Sequence, residues 1–275
     1  MENLVGPTTV AIRGASGKLG SEVSKSFEMN LISSTYLRRE TNYNSLLEPM
    51  IILDFAGPNP KNDEYWETFN LNEFLEESQS FLEWVTKSKS IYVRIGSFGE
   101  FNPAPTKYEY VAQEISRQVN TFVAELGLNG LILFPSNIYG RASLGNIVET
   151  LIKSSFRQEE LRLRSPNKTV NFIYYEDFIF FLLNLVGRFK TGNFVNSNLA
   201  LTSEYSYLVS DLKDYTFSQK RKFDISRSLP RTSLPDLSSG HYCLDSVGVK
   251  TLPDRLKNYI DLRIKNGIEF DIHAL

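Results

Sequence analysis

The chain has 275 residues, of which 41% are hydrophobic and 23% charged; these ordinary values for a folded protein exclude a disordered, collagen-like or coiled-coil chain. Its 30 basic and 32 acidic residues give a net charge of −2, so the basic excess that duplex nucleic acid would demand is absent. With one cysteine, Cys243, and two histidines, His241 and His273, we expect no disulfide, no cysteine zinc cluster and no metal site.

The N-terminal residues show no signal-peptide pattern. The longest apolar stretch, 178–186, has nine residues, whereas a membrane span needs about 20. We therefore predict a cytoplasmic protein that has no membrane segment.

Short apolar runs alternate with helical periods along the first half of the chain. Strands are predicted at 9–12, 34–37, 50–55, 91–95 and 131–134, and helices near 19–27, 65–87 and 108–126. Alternation of this kind predicts an α/β fold built on a Rossmann-like, doubly wound parallel sheet. A further strand is predicted at 169–174 and a helix at 176–186, whereas the polar stretch 220–239 suggests a loop-rich lobe.

From this pattern we divide the chain into a core and a smaller C-terminal lobe. The core comprises residues 1–140, and residues 168–196 return to it. The smaller lobe comprises residues 141–167 and 197–275.

The strongest local signal is the glycine turn Gly14-x-x-Gly17-x-x-Gly20, which follows a strand and opens a helix. The three glycines would allow a tight turn, a close approach to a diphosphate and close packing of helix on sheet. The helix N-terminus would then face the phosphates. The alternative is a simple glycine-rich turn. The predicted cofactor-binding residues of this segment are Gly14, Ser16, Gly17, Lys18, Leu19 and Gly20.

The end of the second strand distinguishes NAD from NADP. An acidic residue there would bind the adenosine ribose of NAD, but the chain has Arg38 and Arg39, whose guanidinium groups can pair with a phosphate. We therefore predict NADP(H). The alternatives are two solvated arginines, or Glu40 as the acid if the register differs by two residues.

Several later segments are similar to landmarks of the extended short-chain dehydrogenase/reductase family, in the branch that acts on nucleotide sugars. Besides the glycine turn, the likeness covers 131–140, similar to that family's LRxxNVYG segment, and 170–177, similar to its RDFIYVDD segment. Segments 52–57, 94–99, 192–196 and 251–256 resemble further landmarks.

This resemblance implies roles for individual residues. Ser97 would hydrogen-bond a substrate carbonyl and Tyr108 would transfer its proton while hydride moves to or from the nicotinamide. Ala56 and Gly57 would lie against the cofactor. The smaller lobe would bind the substrate, and the resemblance assigns substrate contacts to Asn137 in the core and to Arg231 in that lobe. It also implies a nucleotide-sugar substrate and a homodimer.

The pattern departs from the family at the active-site lysine, which follows the tyrosine by four residues. Ala112 stands there, and in the other register Tyr110 is followed by Glu114. Alanine supplies no charge, and glutamate would oppose phenolate formation. Oxidation, which needs a base, should therefore suffer more than reduction, which needs a neutral tyrosine as acid.

These observations favour an NADP-dependent oxidoreductase that reduces a keto group on a nucleotide-linked deoxy sugar in polysaccharide synthesis. One alternative is a catalytically degenerate dinucleotide-binding or scaffold protein of the same fold. Another is a nucleotide-sugar epimerase or dehydratase.

Overall fold

The computed structural model describes residues 9–38, 41, 43, 46, 50–57, 63–102, 104–141, 144–163, 165–192, 196–221, 228–230, 241–243, 252 and 254–266. No helix within these ranges has the length and apolarity needed to cross a membrane. The chain divides into two compact units, Met1–Phe134 with Leu182–Leu199 and Pro135–Phe181 with Ala200–Leu275. The core and lobe proposed from the sequence have different boundaries: they place residues 135–140 and 168–181 with the core and residues 197–199 with the lobe.

The strands are β1 (Thr9–Arg13), β2 (Ser34–Leu37), β3 (Met50–Asp54), β4 (Ile91–Ile95), β5 (Asn129–Pro135), β6 (Asn137–Tyr139), β7 (Thr169–Tyr174), β8 (Ser197–Thr202), β9 (Ser206–Leu208) and β10 (His241–Cys243). The helices are α1 (Lys18–Met29), α2 (Asp63–Thr68), α3 (Leu71–Lys87), α4 (Lys107–Glu125), α5 (Ile147–Arg157), α6 (Tyr175–Lys190), α7 (Val209–Arg221) and α8 (Arg255–Asn266). A 3₁₀ turn, Phe98–Phe101, follows β4.

The first unit is built on a parallel sheet. Its strand order is β8-β5-β4-β3-β1-β2, and β1 pairs in parallel with both β2 and β3. Every residue of β3 and β4 is buried, as expected for strands covered on both faces. The predicted α/β class with a Rossmann-like parallel sheet is confirmed.

The helix predicted over 65–87 is two helices. Asn70 interrupts it, because its side chain accepts hydrogen bonds from the backbone N–H groups of Asn72 and Glu73 and so begins α3. Asparagine is among the preferred N-cap residues, since it satisfies N–H groups that have no partner within the helix.

The standard doubly wound order places a third strand outside the second. Among the described residues β2 is the edge strand, and residues 38–49 join it to β3. Strand β2 therefore borders β1 directly on that side of the sheet.

The second unit contains a small sheet of order β6-β7-β9, in which β6 and β7 are parallel and β7 and β9 antiparallel. Its helices α5, α7 and α8 share an apolar core. Within that core the buried Glu149 carboxylate accepts hydrogen bonds from Tyr259 and Arg263. These bonds offset part of the cost of burying the charge. Most of the polar stretch 220–239 lies outside the described residues.

Candidate functional site

The glycine turn joins β1 to α1 so tightly that side chains would not fit. Gly14 has φ +79°, and a Cβ there would lie 2.6 Å from the backbone nitrogen of Ala56. A Cβ on Gly20 would lie 2.3 Å from the carbonyl oxygen of Gly14. The Gly17 N–H donates to that same oxygen at 3.0 Å. The turn therefore requires glycine at its first and third positions, which is the packing that the sequence pattern predicts.

The N-terminus of α1 is suited to an anion. Gly17 is its N-cap and offers no side-chain cap, and the first turn contains no acidic residue. The first N–H groups of a helix have no partner within it and carry its positive dipole end. A diphosphate at this turn would satisfy them.

A cleft of about 800 Å³ opens beside the turn. It brings together the predicted residues Gly14, Ser16, Gly17, Arg38, Ala56 and Gly57. Lys18, Leu19 and Gly20 are not among its lining residues, and Arg39 lies outside the described residues. The cleft is also lined by residues that the sequence did not predict, among them Arg13, Lys25, Glu28, Tyr36, Phe74 and Glu77. The place of Arg13 could have been predicted, because it is a charged residue at the end of the apolar run that forms β1.

Arg13 lies at the end of β1, and its side chain is held by two partners. Its Nη1 donates to Oδ2 of Asp54 at 3.0 Å, and its guanidinium stacks over the ring of Phe81 at 4.3 Å. Asp54 also accepts from the Tyr92 hydroxyl at 2.6 Å and from the Ala56 N–H at 2.8 Å. Burial is the largest single influence and favours the neutral guanidinium, but Asp54, Tyr92 and Tyr43 together outweigh it, and the pKa of Arg13 is raised. The side chain is therefore a fixed cation paired within the cleft lining.

The β2 side of the cleft carries charges of both signs. Arg38 is exposed there, and its backbone N–H donates to Thr41 Oγ1 at 2.8 Å. The Glu28 carboxylate of α1 accepts a hydrogen bond from the Tyr36 hydroxyl, and this bond raises the pKa of Tyr36. The described end of β2 carries no carboxylate, and Glu40 lies outside the described residues, but Glu28 of α1 brings a carboxylate to the same cleft.

Ser97 has a structural partner in the turn after β4. Its hydroxyl oxygen accepts from the Gly99 N–H at 3.2 Å, while its own N–H donates to the Glu100 carboxylate at 2.7 Å. This capping box fixes the residue at the carboxyl end of β4. The hydroxyl proton is not used by that bond, so Ser97 retains a donor.

Tyr108 lies in the first turn of α4 and is half-buried. Burial raises the pKa of its phenol; Arg94 lowers it, whereas Glu100 and Glu109 raise it, and the net direction is upward. Ala112, one turn further along, is 3% exposed and accepts a hydrogen bond from Arg94 at its carbonyl. The phenol therefore stays protonated near neutral pH.

The other register of the tyrosine pattern has different surroundings. Tyr110 is 47% exposed, and Glu114 forms an ion pair with Arg117 on the surface of α4. Of the two tyrosines, Tyr108 has the burial expected of a group that works beside a cofactor.

The two residues expected to contact a substrate lie in the second unit by sequence number. Asn137 begins β6, is exposed, and donates from Nδ2 to the Asn171 carbonyl at 3.1 Å. Arg231 and His273 fall outside the described residues. Within the described part of the chain, no group of His, Cys, Asp and Glu side chains could hold a metal ion.

Comparison with protein-family models gives no match, and no curated protein is significantly similar in sequence. Solved structures do match. UDP-N-acetylglucosamine 4-epimerase from Bacillus cereus superposes with a TM-score of 0.67 at 14% identity, over 96% of this chain and 97% of that one. TunA, an NAD-dependent NDP-hexosamine 5,6-dehydratase of tunicamycin biosynthesis, gives 0.68 at 14% identity, over 94% and 97%.

A third match includes bound ligands. UDP-glucuronic acid 4-epimerase from Bacillus cereus, in complex with NAD and a fluorinated UDP-sugar, gives a TM-score of 0.69 at 13% identity, over 94% and 98%. The chain therefore has the fold of nucleotide-sugar epimerases and dehydratases, as the sequence resemblance implies. At this identity the likeness defines the fold and leaves the activity to the site.

Proposed function

We propose that the protein is an NADP-dependent reductase of a keto group on a nucleotide-linked deoxy sugar, acting in polysaccharide synthesis. The observation that carries the proposal is the glycine turn, whose tight packing at Gly14 and Gly20 brings in the N-terminus of α1 with no side-chain cap, where a diphosphate could bind. Structures with this fold include enzymes whose names specify NAD and UDP-sugars, which supports a dinucleotide and a nucleotide sugar.

The preference for NADP rests on the charge at the β2 side of the cleft. Arg38 is exposed and lines the cleft, so its guanidinium can pair with a ribose phosphate. The negative charge of Glu28 would repel the same phosphate, but its carboxylate already accepts a hydrogen bond from the Tyr36 hydroxyl. The balance favours NADP over NAD.

The reducing direction rests on Tyr108. Bound NADPH would supply the hydride for the carbonyl carbon. Tyr108 would donate its proton to the carbonyl oxygen, Ser97 would hold that oxygen through its hydroxyl, and water would return the proton to Tyr108. Since burial raises the pKa of Tyr108, it is an available acid and a poor base.

The lining of the 800 Å³ cleft contains neither Ser97 nor Tyr108. Strand β4 lies next to β3, because the register pairs Asp54 of β3 with Arg94 of β4, and Tyr108 lies in the first turn of α4, whose Ala112 carbonyl accepts a hydrogen bond from Arg94. Ala56 and Gly57 follow β3, and Ser97 follows β4. A dinucleotide that crosses this edge of the sheet passes from the cleft to the candidate catalytic residues.

The test is turnover with NADPH and a panel of nucleotide-linked 4-keto-6-deoxy sugars, followed as loss of NADPH absorbance. We expect wild-type turnover and a loss of at least about 100-fold in Tyr108→Phe, because general acid catalysis contributes about 10²–10⁴-fold. The Tyr110→Phe variant is the matched control and should retain activity. Equal rates in wild type and Tyr108→Phe would reject the proposal.

Two rival functions each have one observation in favour. Ala112 favours a catalytically degenerate dinucleotide-binding or scaffold protein. Calorimetric binding of NADPH without turnover of any sugar would support it. The names of the matching structures favour an epimerase or dehydratase. Conversion of a nucleotide sugar without added NADPH would support that reading, although its first oxidation needs the base that Tyr108 is poorly suited to be.

A further inference from the structure

A buried ion pair joins the two segments that hold the candidate catalytic side chains. Arg94 of β4 lies 3.3 Å from the Glu100 carboxylate, and both side chains are only 3% exposed. Arg94 also donates to Ser116 Oγ and to the Ala112 carbonyl, each at 3.0 Å. Glu100 in turn accepts from the Ser97 N–H at 2.7 Å and from the Ser116 hydroxyl at 2.5 Å. One hydrogen-bonded network therefore ties the Ser97 turn to α4.

We propose that Arg94 and Glu100 are positioning residues of the active site. Arg94 supplies from β4 the positive charge that α4 lacks at Ala112, and the Glu100 carboxylate balances that charge. Tyr108 and Ala112 share a helix face because they are four residues apart. Arg94 reaches that face from β4. The inference deepens the proposed function and rests on it for its catalytic meaning.

The charged groups that act on the Tyr108 phenol come from three elements. They are Arg94 of β4, Glu100 of the 3₁₀ turn and Glu109 of α4 itself. Burial is the largest influence and raises the pKa of Tyr108; Arg94 lowers it, and the two carboxylates raise it. Burial and the two carboxylates thus keep the phenol protonated against the opposing influence of Arg94, which suits proton donation.

The same network serves the step itself. When the Tyr108 O–H bond breaks and its proton passes to the substrate oxygen, a phenolate remains until water protonates it. The Arg94 guanidinium, on this side of α4, would stabilise the negative charge of that phenolate. Because the network also holds the Ser97 turn, loosening it would separate the carbonyl-binding hydroxyl from the proton donor, which costs rate.

The test is the titration of Tyr108 in protein labelled with 3-fluorotyrosine, read by ¹⁹F NMR and assigned by the resonance missing in Tyr108→Phe. Fluorination lowers the pKa of the phenol and so brings the titration away from alkaline unfolding. Glu100→Gln should lower the pKa of Tyr108 by about one pH unit, because a full charge several ångströms away acts in a medium of intermediate dielectric. The control, Glu114→Gln, removes the carboxylate that pairs with Arg117 on α4 and should leave the pKa of Tyr108 unchanged.

A double variant identifies the cation. Arg94→Met combined with Glu100→Gln should return the Tyr108 pKa to within a few tenths of a unit of the wild-type value, because both charges are then gone. It also covers the case in which Glu100→Gln alone fails to fold, since removing both members of a buried pair is tolerated better than removing one. If Glu100→Gln has no effect, or its effect persists in the double variant, the proposal is overturned. The titration needs no substrate, so this outcome is distinct from a failure of the proposed reductase activity.

Discussion

Nη1 of Arg13 lies 3.0 Å from the carboxylate of Asp54, across the neighbouring strands β1 and β3, whose carboxyl ends border the cleft. Asp54 is in register with Arg94, the penultimate residue of β4, so charged side chains lie at or next to the ends of three neighbouring strands. Partners in a parallel register point to the same face. The sheet therefore carries alternating charges beneath the edge at which we expect the cofactor to bind.

Removal of Arg13 should unfold the first unit more readily. In Arg13→Met the Asp54 carboxylate would remain buried with only Tyr92 and the Ala56 N–H as partners, and loss of one member of a buried pair costs about 3–5 kcal/mol. Urea unfolding would measure the loss. Arg13→Met with Asp54→Asn is the control and should recover most of it, because the amide oxygen can accept from the Ala56 N–H and the amide NH₂ can donate to the Tyr92 hydroxyl without a buried charge. Equal losses in both variants would mean that the ion pair is not the cause.

The glycine at the start of α1 should not tolerate alanine. In Gly20→Ala the new Cβ would lie 2.3 Å from the Gly14 carbonyl oxygen, so the turn must shift. We expect a loss of about 1–3 kcal/mol in unfolding free energy, and weaker NADPH binding by calorimetry. Gly187 in α6 is the matched control, since a Cβ there meets nothing within 4 Å. Gly187→Ala should be stabilised by up to about 1 kcal/mol.

Cofactor choice should depend on Arg38. Arg38→Gln is expected to weaken NADPH binding about ten- to hundredfold and leave NADH binding unchanged, because a hydrogen bond to a charged group contributes about 1.5–3 kcal/mol. Glu28→Gln removes a carboxylate from the same cleft and should strengthen NADPH binding. Calorimetry with both cofactors measures these changes, and Arg117→Gln on the exposed surface of α4 is the control. A parallel loss of NADH affinity in Arg38→Gln would show that Arg38 does not read the phosphate.

The pH dependence of reduction should reflect a protonated tyrosine. The pKa of Tyr108 is raised above its ordinary value near 10, so the active acid form is present throughout the neutral range and is lost only as pH rises through that raised value. We therefore expect kcat/KM to be level from about pH 6 to about pH 9. The reverse oxidation, which needs the phenolate, should rise with pH over the same range. A reduction rate that halves near neutrality would point to a different acid.

The sequence by itself determined the α/β class, the glycine turn and the absence of the lysine at Ala112. These follow from local rules: strand and helix periods, and the steric need for glycine where backbone meets backbone. It also predicted most element positions, and it missed the break at Asn70 because a cap competes with a continuing apolar period.

Only the tertiary structure brought Arg13 to Asp54, Glu28 to the cleft, and the Arg94–Glu100 pair against the Tyr108 helix. Those contacts join residues on different strands, helices and turns, so their partners depend on strand register and on how each helix packs. A charged residue at the end of a strand looks the same in sequence whether it is solvated or buried in a network, and the physical difference is the burial that the fold imposes.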